Sequence, residues 1–210
     1  GIRPNVATYI LQMDYRIGAG DLSGAHAAYE ALKSEEVNNG EDLSVINKYI
    51  RELCSAPSPN YERIISIIAD LEELKVRPEA DTLSAICLLY LRRDELHDII
   101  DILRAHCFHY TLDERARIRD ALFAYCLDRR NSTTSAWDAY IIMREMFDET
   151  DTEKRTQLMN EFFDRKRSDI ASHVFGHMRQ HIRQDQRPTS DTYVECLVGI
   201  AKCADKESLD

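Results

Sequence analysis

Apolar side chains recur along this chain at steps of three and four residues, and short polar turns interrupt them every dozen or so positions. That is the signature of successive amphipathic helices. Val6, Tyr9, Ile10, Met13 and Ile17 predict a helix over 6–17, ended by Gly18-Ala19-Gly20. Asp21 caps a second through about 33, with Leu22, Ala25, Ala28, Tyr29 and Leu32 on its inner stripe. After the polar break Asn38-Asn39-Gly40-Glu41-Asp42, Leu43, Ile46, Ile50 and Leu53 carry a third. Ser58 as N-cap and Pro59 at the first helical position open a fourth, with Ile64, Ile65, Ile68, Leu71 and Leu74. Helices follow over 80–91 and 94–107, split by Arg92-Arg93-Asp94. Leu83, Ile86, Cys87 and Tyr90 are set to face Leu96, Ile99, Ile100 and Leu103.

Thr111-Leu112-Asp113-Glu114 is a capping box opening a helix to about 127. Its partner starts near Thr134 and runs through Trp137, Tyr140, Ile141 and Met143 to Phe147. A second box, Thr150-Asp151-Thr152-Glu153, precedes Leu158, Met159, Phe162 and Phe163. Ser168 or Asp169 then begins a helix with Ile170, Val174, Phe175 and Met178. Tyr193, Cys196, Leu197 and Ile200 mark the last stripe, after which Asp205 is expected to cap one more helix.

One phrase sets the register of all this: Arg3-Pro4-Asn5-Val6-Ala7-Thr8-Tyr9, Arg77-Pro78-Glu79-Ala80-Asp81-Thr82-Leu83 and Arg187-Pro188-Thr189-Ser190-Asp191-Thr192-Tyr193. Its prolines lie 74 and 110 residues apart, two and three units of a period of about 37, in the range of helical-repeat arrays. Proline cannot continue a preceding helix but is tolerated just ahead of a new one, so each copy separates two repeats. The predicted fold is all-α, a right-handed α-solenoid of antiparallel helix pairs. It forms one helical-repeat domain over 1–210, with repeats near 4–37, 38–77, 78–109, 110–149, 150–186 and an incomplete 187–210. Such arrays bind along a concave surface.

Composition narrows the function classes. Seven glycines and five prolines in 210 residues favour long helices. A formal charge of −10 weighs against a phosphate backbone as main partner, because that affinity comes from Lys and Arg displacing counterions. Cys54, Cys87, Cys107, Cys126, Cys196 and Cys203 lie on apolar helical stretches without a Cys-x-x-Cys, as expected of buried thiols in a reducing compartment. No apolar run reaches about 18 residues, so no membrane span is indicated. The chain opens on Gly1 rather than Met and its pattern stops just inside a new helix. It is expected to be a piece of a longer protein, with any targeting segment elsewhere.

The opening unit, Pro4 to Ile10, then Tyr15, Gly20-Asp21-Leu22 and Ala25-His26-Ala27-Ala28-Tyr29-Glu30-Ala31-Leu32, resembles the pentatricopeptide repeat. A Thr-Tyr pair opens its first helix, a Gly-Asp turn separates the two, and Ala-x-x-x-Tyr-x-x-Leu forms the second. No Trp-x-x-Leu-Gly-x-x-Tyr signature of tetratricopeptide repeats is present; the lone Trp137 sits in Ser135-Ala136-Trp137-Asp138-Ala139-Tyr140. The last third resembles fungal mitochondrial complex I intermediate-associated proteins. The resemblance rests on the run from Ala136 to Met146, Asn160-Glu161-Phe162-Phe163-Asp164-Arg165, His173-Val174-Phe175-Gly176-His177-Met178-Arg179 and the third phrase. It implies a non-catalytic matrix assembly factor that holds a membrane-arm intermediate of complex I. The pentatricopeptide family alone implies the alternative, single-stranded RNA binding in mitochondrial RNA processing, stability or translation.

By that resemblance, RNA-readout positions fall on Ile10, Ser84 and Val194, and on Asn5, Glu79 and Thr189. Ile10 and Val194 cannot hydrogen-bond a base edge, which favours a protein partner. Gln12, Arg16, Asn47 and Arg51 are expected to be exposed along the row of first helices. Arg179 and Arg183, four apart, are expected to share one face as a positive patch. Arg129-Arg130 and Arg165-Lys166-Arg167 read as helix ends whose charges complement the dipole. His173, His177 and His181 recur every four residues, but no Asp, Glu or Cys joins them within that helix, so they read as structural. No Gly-rich phosphate loop, Gly-x-Ser-x-Gly or His-Glu-x-x-His occurs. Neither catalysis, a metal, a cofactor nor a small-molecule substrate is expected.

Overall fold

The computed structural model describes residues 3–36 and 41–207, and among them all regular structure is helical. The elements are α1 (Val6–Gly18), α2 (Leu22–Lys33), α3 (Ser44–Ser55), α4 (Tyr61–Glu73), α5 (Ala80–Leu91), α6 (Leu96–His106), α7 (Leu112–Leu127), α8 (Thr133–Met146), α9 (Thr152–Asp164), α10 (Ser168–Arg179) and α11 (Ser190–Glu207). Short 3₁₀ turns follow α6 and α10. They gather into two compact units, residues 1–89 and 90–210.

In the first unit α1 packs on α2, and α3 lies against both. The apolar stripes read from the sequence form the core: Met13, Tyr29, Leu32, Ile46, Tyr49, Ile50, Ile64 and Ile67 are buried. Gly20, in the left-handed region at φ 73°, turns the chain out of α1, and the Asp21 amide donates back to the Arg16 carbonyl at 2.9 Å. One carboxylate ties α2 to α4. Asp70 accepts from the Tyr29 hydroxyl and from Lys33 Nζ, each at 2.6 Å. Burial and that carboxylate push the Tyr29 phenol well above its ordinary range.

In the second unit α7, α9 and α11 lie side by side, α8 packs on α6 and α7, and α10 packs on α9 and α11. Phe147, Phe162, Leu158, Ala136, Val174 and Met178 form its core. Arg165, at the end of α9, reaches back to the end of α7. It donates to the carbonyls of Cys126, Asp128 and Asn131 at 3.0, 3.1 and 2.8 Å, and to Glu161 at 2.9 Å. All six cysteines are buried free thiols. Burial raises the Cys107 thiol to about 11.

Four local expectations are corrected. Asn60, not Ser58, caps α4, accepting from the Arg63 amide at 3.0 Å, so Pro59 stands outside the helix. Asp151, not Thr150, caps α9. The Thr150 hydroxyl is buried and donates to the Phe147 carbonyl at 2.7 Å, leaving Asp151 to accept from the Lys154 amide. Asp94 sits at φ 58° in the turn, and α6 begins only at Leu96. At Asp205, where a new helix was expected, α11 continues unbroken to Glu207. Residues 38–40 of the expected polar break lie outside the described residues.

Candidate partner-binding surface

Of the residues expected to line the first-helix row, Arg16, Asn47 and Arg51 are engaged within the protein. Gln12 is exposed on α1, beside exposed Leu11 and Tyr15. Arg16 is half-exposed but pairs with Asp21 at 2.5 Å, and Asp21 in turn caps α2 through the Gly24 amide. Asn47, expected to be exposed, is only 2% exposed. Its amide spans two backbone groups of the second phrase, with Nδ2 donating to the Arg77 carbonyl at 3.1 Å and Oδ1 accepting from the Glu79 amide at 2.8 Å. Arg51 is half-buried and donates to Glu79 Oε2 at 2.5 Å and Thr82 Oγ1 at 2.9 Å. These side chains join α3 to the start of α5. A polar residue on a first helix is used there for stacking repeats.

The readout positions behave alike. Asn5 caps α1, accepting from the Thr8 amide at 3.0 Å. Glu79 is held by Arg51. Ser84, expected to offer a polar edge, is buried and donates to the Ala80 carbonyl at 2.9 Å. Thr189 faces Thr192 at 3.0 Å between hydroxyls. Ile10 is half-buried and Val194 exposed. The described face of α11 carries further exposed apolar groups, Tyr193, Leu197, Val198 and Ile200.

In the second unit Arg179 and Arg183 are both exposed, but they do not share a helical face. α10 ends at Arg179, and Arg183 lies in the following turn, paired with Asp185 at 2.7 Å. His181 lies past the helix end as well, and its Nε2 bonds Asp148 at 2.7 Å. Among the described residues, no three His, Cys, Asp or Glu side chains gather as a metal site.

What the sequence did not reveal is a cavity of about 410 Å³ bounded by α8, α9 and the segment after α10. Tyr140, Arg144, Arg155, Leu158, His177 and Arg183 are among its lining residues. Arg144 Nη1 donates to His177 Nε2 at 3.2 Å, so a neutral imidazole carries its proton on Nδ1 and donates it to the Tyr140 oxygen at 2.9 Å. Burial and the Arg144 charge hold the His177 imidazole down at about 4. Arg155 is only 7% exposed. Its one hydrogen bond runs from Nη2 to the Asp148 carbonyl at 3.2 Å. A signal for it was present: Arg155 precedes Leu158, Met159 and Phe162 by three, four and seven residues, so it stands on the apolar stripe of α9.

No protein-family model matches the chain. Over 204 residues, 96% of its length, it is 42% identical to Complex I intermediate-associated protein 84, mitochondrial, of Neurospora crassa. It spans 26% of that curated relative. Among solved structures, the crystal structure of the pentatricopeptide repeat protein PPR10 from maize superposes on 98% of the chain and 28% of its own, with a TM-score of 0.55 and 15% identity. The fold is therefore a pentatricopeptide-like helical repeat, and the sequence resembles a fungal complex I intermediate-associated protein over nearly its whole length.

Proposed function

We propose that the chain is part of a non-catalytic scaffold that holds a protein intermediate during assembly of mitochondrial complex I, working in the matrix on the membrane arm. The observation that carries this is the 42% identity over 96% of the chain to a relative named for complex I intermediates. The internal use of the readout positions supports a protein partner over RNA. Asn5, Glu79, Ser84 and Thr189 are engaged at least in part in the protein's own contacts and Ile10 and Val194 are apolar, a poor set for reading base edges. The net charge of −10 acts in the same direction.

The test is immunoprecipitation of the full protein from mitochondria, with and without RNase, followed by identification of complex I subunits. Co-purification of membrane-arm subunits that survives RNase is the expected result. Recovery of a defined RNA footprint, with subunits lost on RNase treatment, overturns the scaffold reading.

A further inference from the structure

The cavity bounded by α8, α9 and the turn after α10 holds more donors than acceptors, and one of them is a buried charge. Arg155 offers five N–H groups and uses one, on the Asp148 carbonyl; among the described residues no carboxylate forms an ion pair with its guanidinium, and Asp148 and Asp151 favour its charge only from a distance. Burial of a charge is costly unless it is paired, and here desolvation is the main influence on the group. Around it stand further donors. His177 fills an acceptor site of the Tyr140 oxygen, leaving the Tyr140 O–H proton without an acceptor in the protein. Arg144 bonds only neutral His177. Arg183 stands on the rim, paired with Asp185. The single acid among the lining residues is Asp148, whose Oδ1 is taken by His181.

We propose that this cavity binds the carboxylate of an acidic side chain on an extended peptide segment, with Arg155 at its base and Tyr140 and Arg144 as additional donors. Bidentate guanidinium–carboxylate pairing is the arrangement that Arg geometry favours, and the burial of Arg155 strengthens it. The same donors could accept a phosphate oxyanion. Two features select the peptide: Met143 and Leu158 give the cavity an apolar wall, with Ile182 at its mouth, suited to a side chain flanking the acid, and the rings that line it, Tyr140, His177 and His181, are held by the protein's own hydrogen bonds rather than free for base stacking. The chain's overall charge repels a polyphosphate while leaving a local positive site intact. The proposal stands on the cavity, and failure of the assembly role would not touch it.

Trp137, the only tryptophan, reports on the site, its ring 5.1 Å from that of Tyr140 and 6.3 Å from that of His177. The probe is a capped tetrapeptide with two glutamates between leucines, titrated into the full chain against Trp137 fluorescence, with its glutamine analogue as control. Saturable binding of the acidic peptide alone is expected. Arg155→Met should weaken it about tenfold or more and at the same time raise the urea midpoint, because a buried charge without an ion-pair partner is removed. Tyr140→Phe should weaken binding several-fold and also lower the urea midpoint, because His177 Nδ1–H loses its acceptor. The proposal is overturned if Arg155→Met lowers the midpoint or binds as the parent does, if the glutamine peptide binds equally, if neither peptide binds, or if inorganic phosphate or an RNA oligonucleotide displaces the acidic peptide.

Discussion

Asn47 holds the backbone of the second Arg-Pro phrase from a repeat away: its amide donates to the carbonyl of Arg77 and accepts from the N–H of Glu79. The N–H of Glu79 stands at the start of α5, one of the donors a helix cannot satisfy itself, and Pro78 beside it has none to offer. A neighbouring repeat therefore caps the helix. Asn47→Ala leaves that amide and carbonyl without this partner in a part-buried site, at an expected loss of about 1–3 kcal/mol. Denaturant unfolding of the two proteins measures it, and a change under 0.5 kcal/mol would contradict the capping role.

The same residue shows where sequence reading stopped. Helix existence and the apolar stripes followed from three- and four-residue spacing, because burial of a stripe depends on local periodicity alone. Asn47 breaks that rule because its partners are 30 and 32 residues away, a distance set by repeat stacking. Arg155 follows the same logic: periodicity puts it on the buried stripe, but only the packed helices show that among the described residues no carboxylate forms an ion pair with it. Thr150 and Ser58 have the right composition for caps, but the neighbouring Asp151 and Asn60 reach the free amides instead.

Arg165 and Arg155 make opposite predictions from similar burial. Arg165 donates to three carbonyls at the end of α7 and to Glu161, so its charge is matched on every side. Arg165→Met should cost about 3–5 kcal/mol, since it strips a hydrogen-bonded network and leaves those carbonyls unmet. Arg155→Met should not destabilise at all. Chemical denaturation of both variants side by side decides it; equal losses would show that the contrast in partners has no energetic consequence.

His177 makes stability depend on pH over a range above that of Asp128 and Asp169, whose carboxyls, held down to about 2 by Arg130 and Arg167, act mainly below their ordinary value of about 3.9. Its folded-state value, about 4, lies below the ordinary histidine value of about 6.5. The unfolded chain therefore takes up the proton first as pH falls. The stabilisation is fully present above about 6.5 and is lost as pH drops toward 4. His177→Gln can still accept from Arg144 and donate to Tyr140, but it cannot titrate. Urea midpoints at pH 7, 5.5 and 4.5 should fall less steeply in the variant than in the parent. Parallel slopes would remove His177 from the account.

Lys166 ends α9 in the left-handed region, at φ 64°, where a Cβ is disfavoured. The Arg167 amide donates to the Phe162 carbonyl at 2.9 Å, closing the same turn that Gly20 closes after α1. The Lys166 side chain is exposed and forms no ion pair among the described residues, so its removal sacrifices little. Lys166→Gly is expected to gain about 1 kcal/mol by relieving the backbone. The reciprocal change, Gly20→Ala at φ 73° with open space around its Cα, should cost a similar amount. Opposite shifts of the urea midpoint in the two variants would confirm that backbone conformation, not side-chain contact, sets the energy of this turn. A destabilised Lys166→Gly would show that the ammonium makes a contact worth more than the strain.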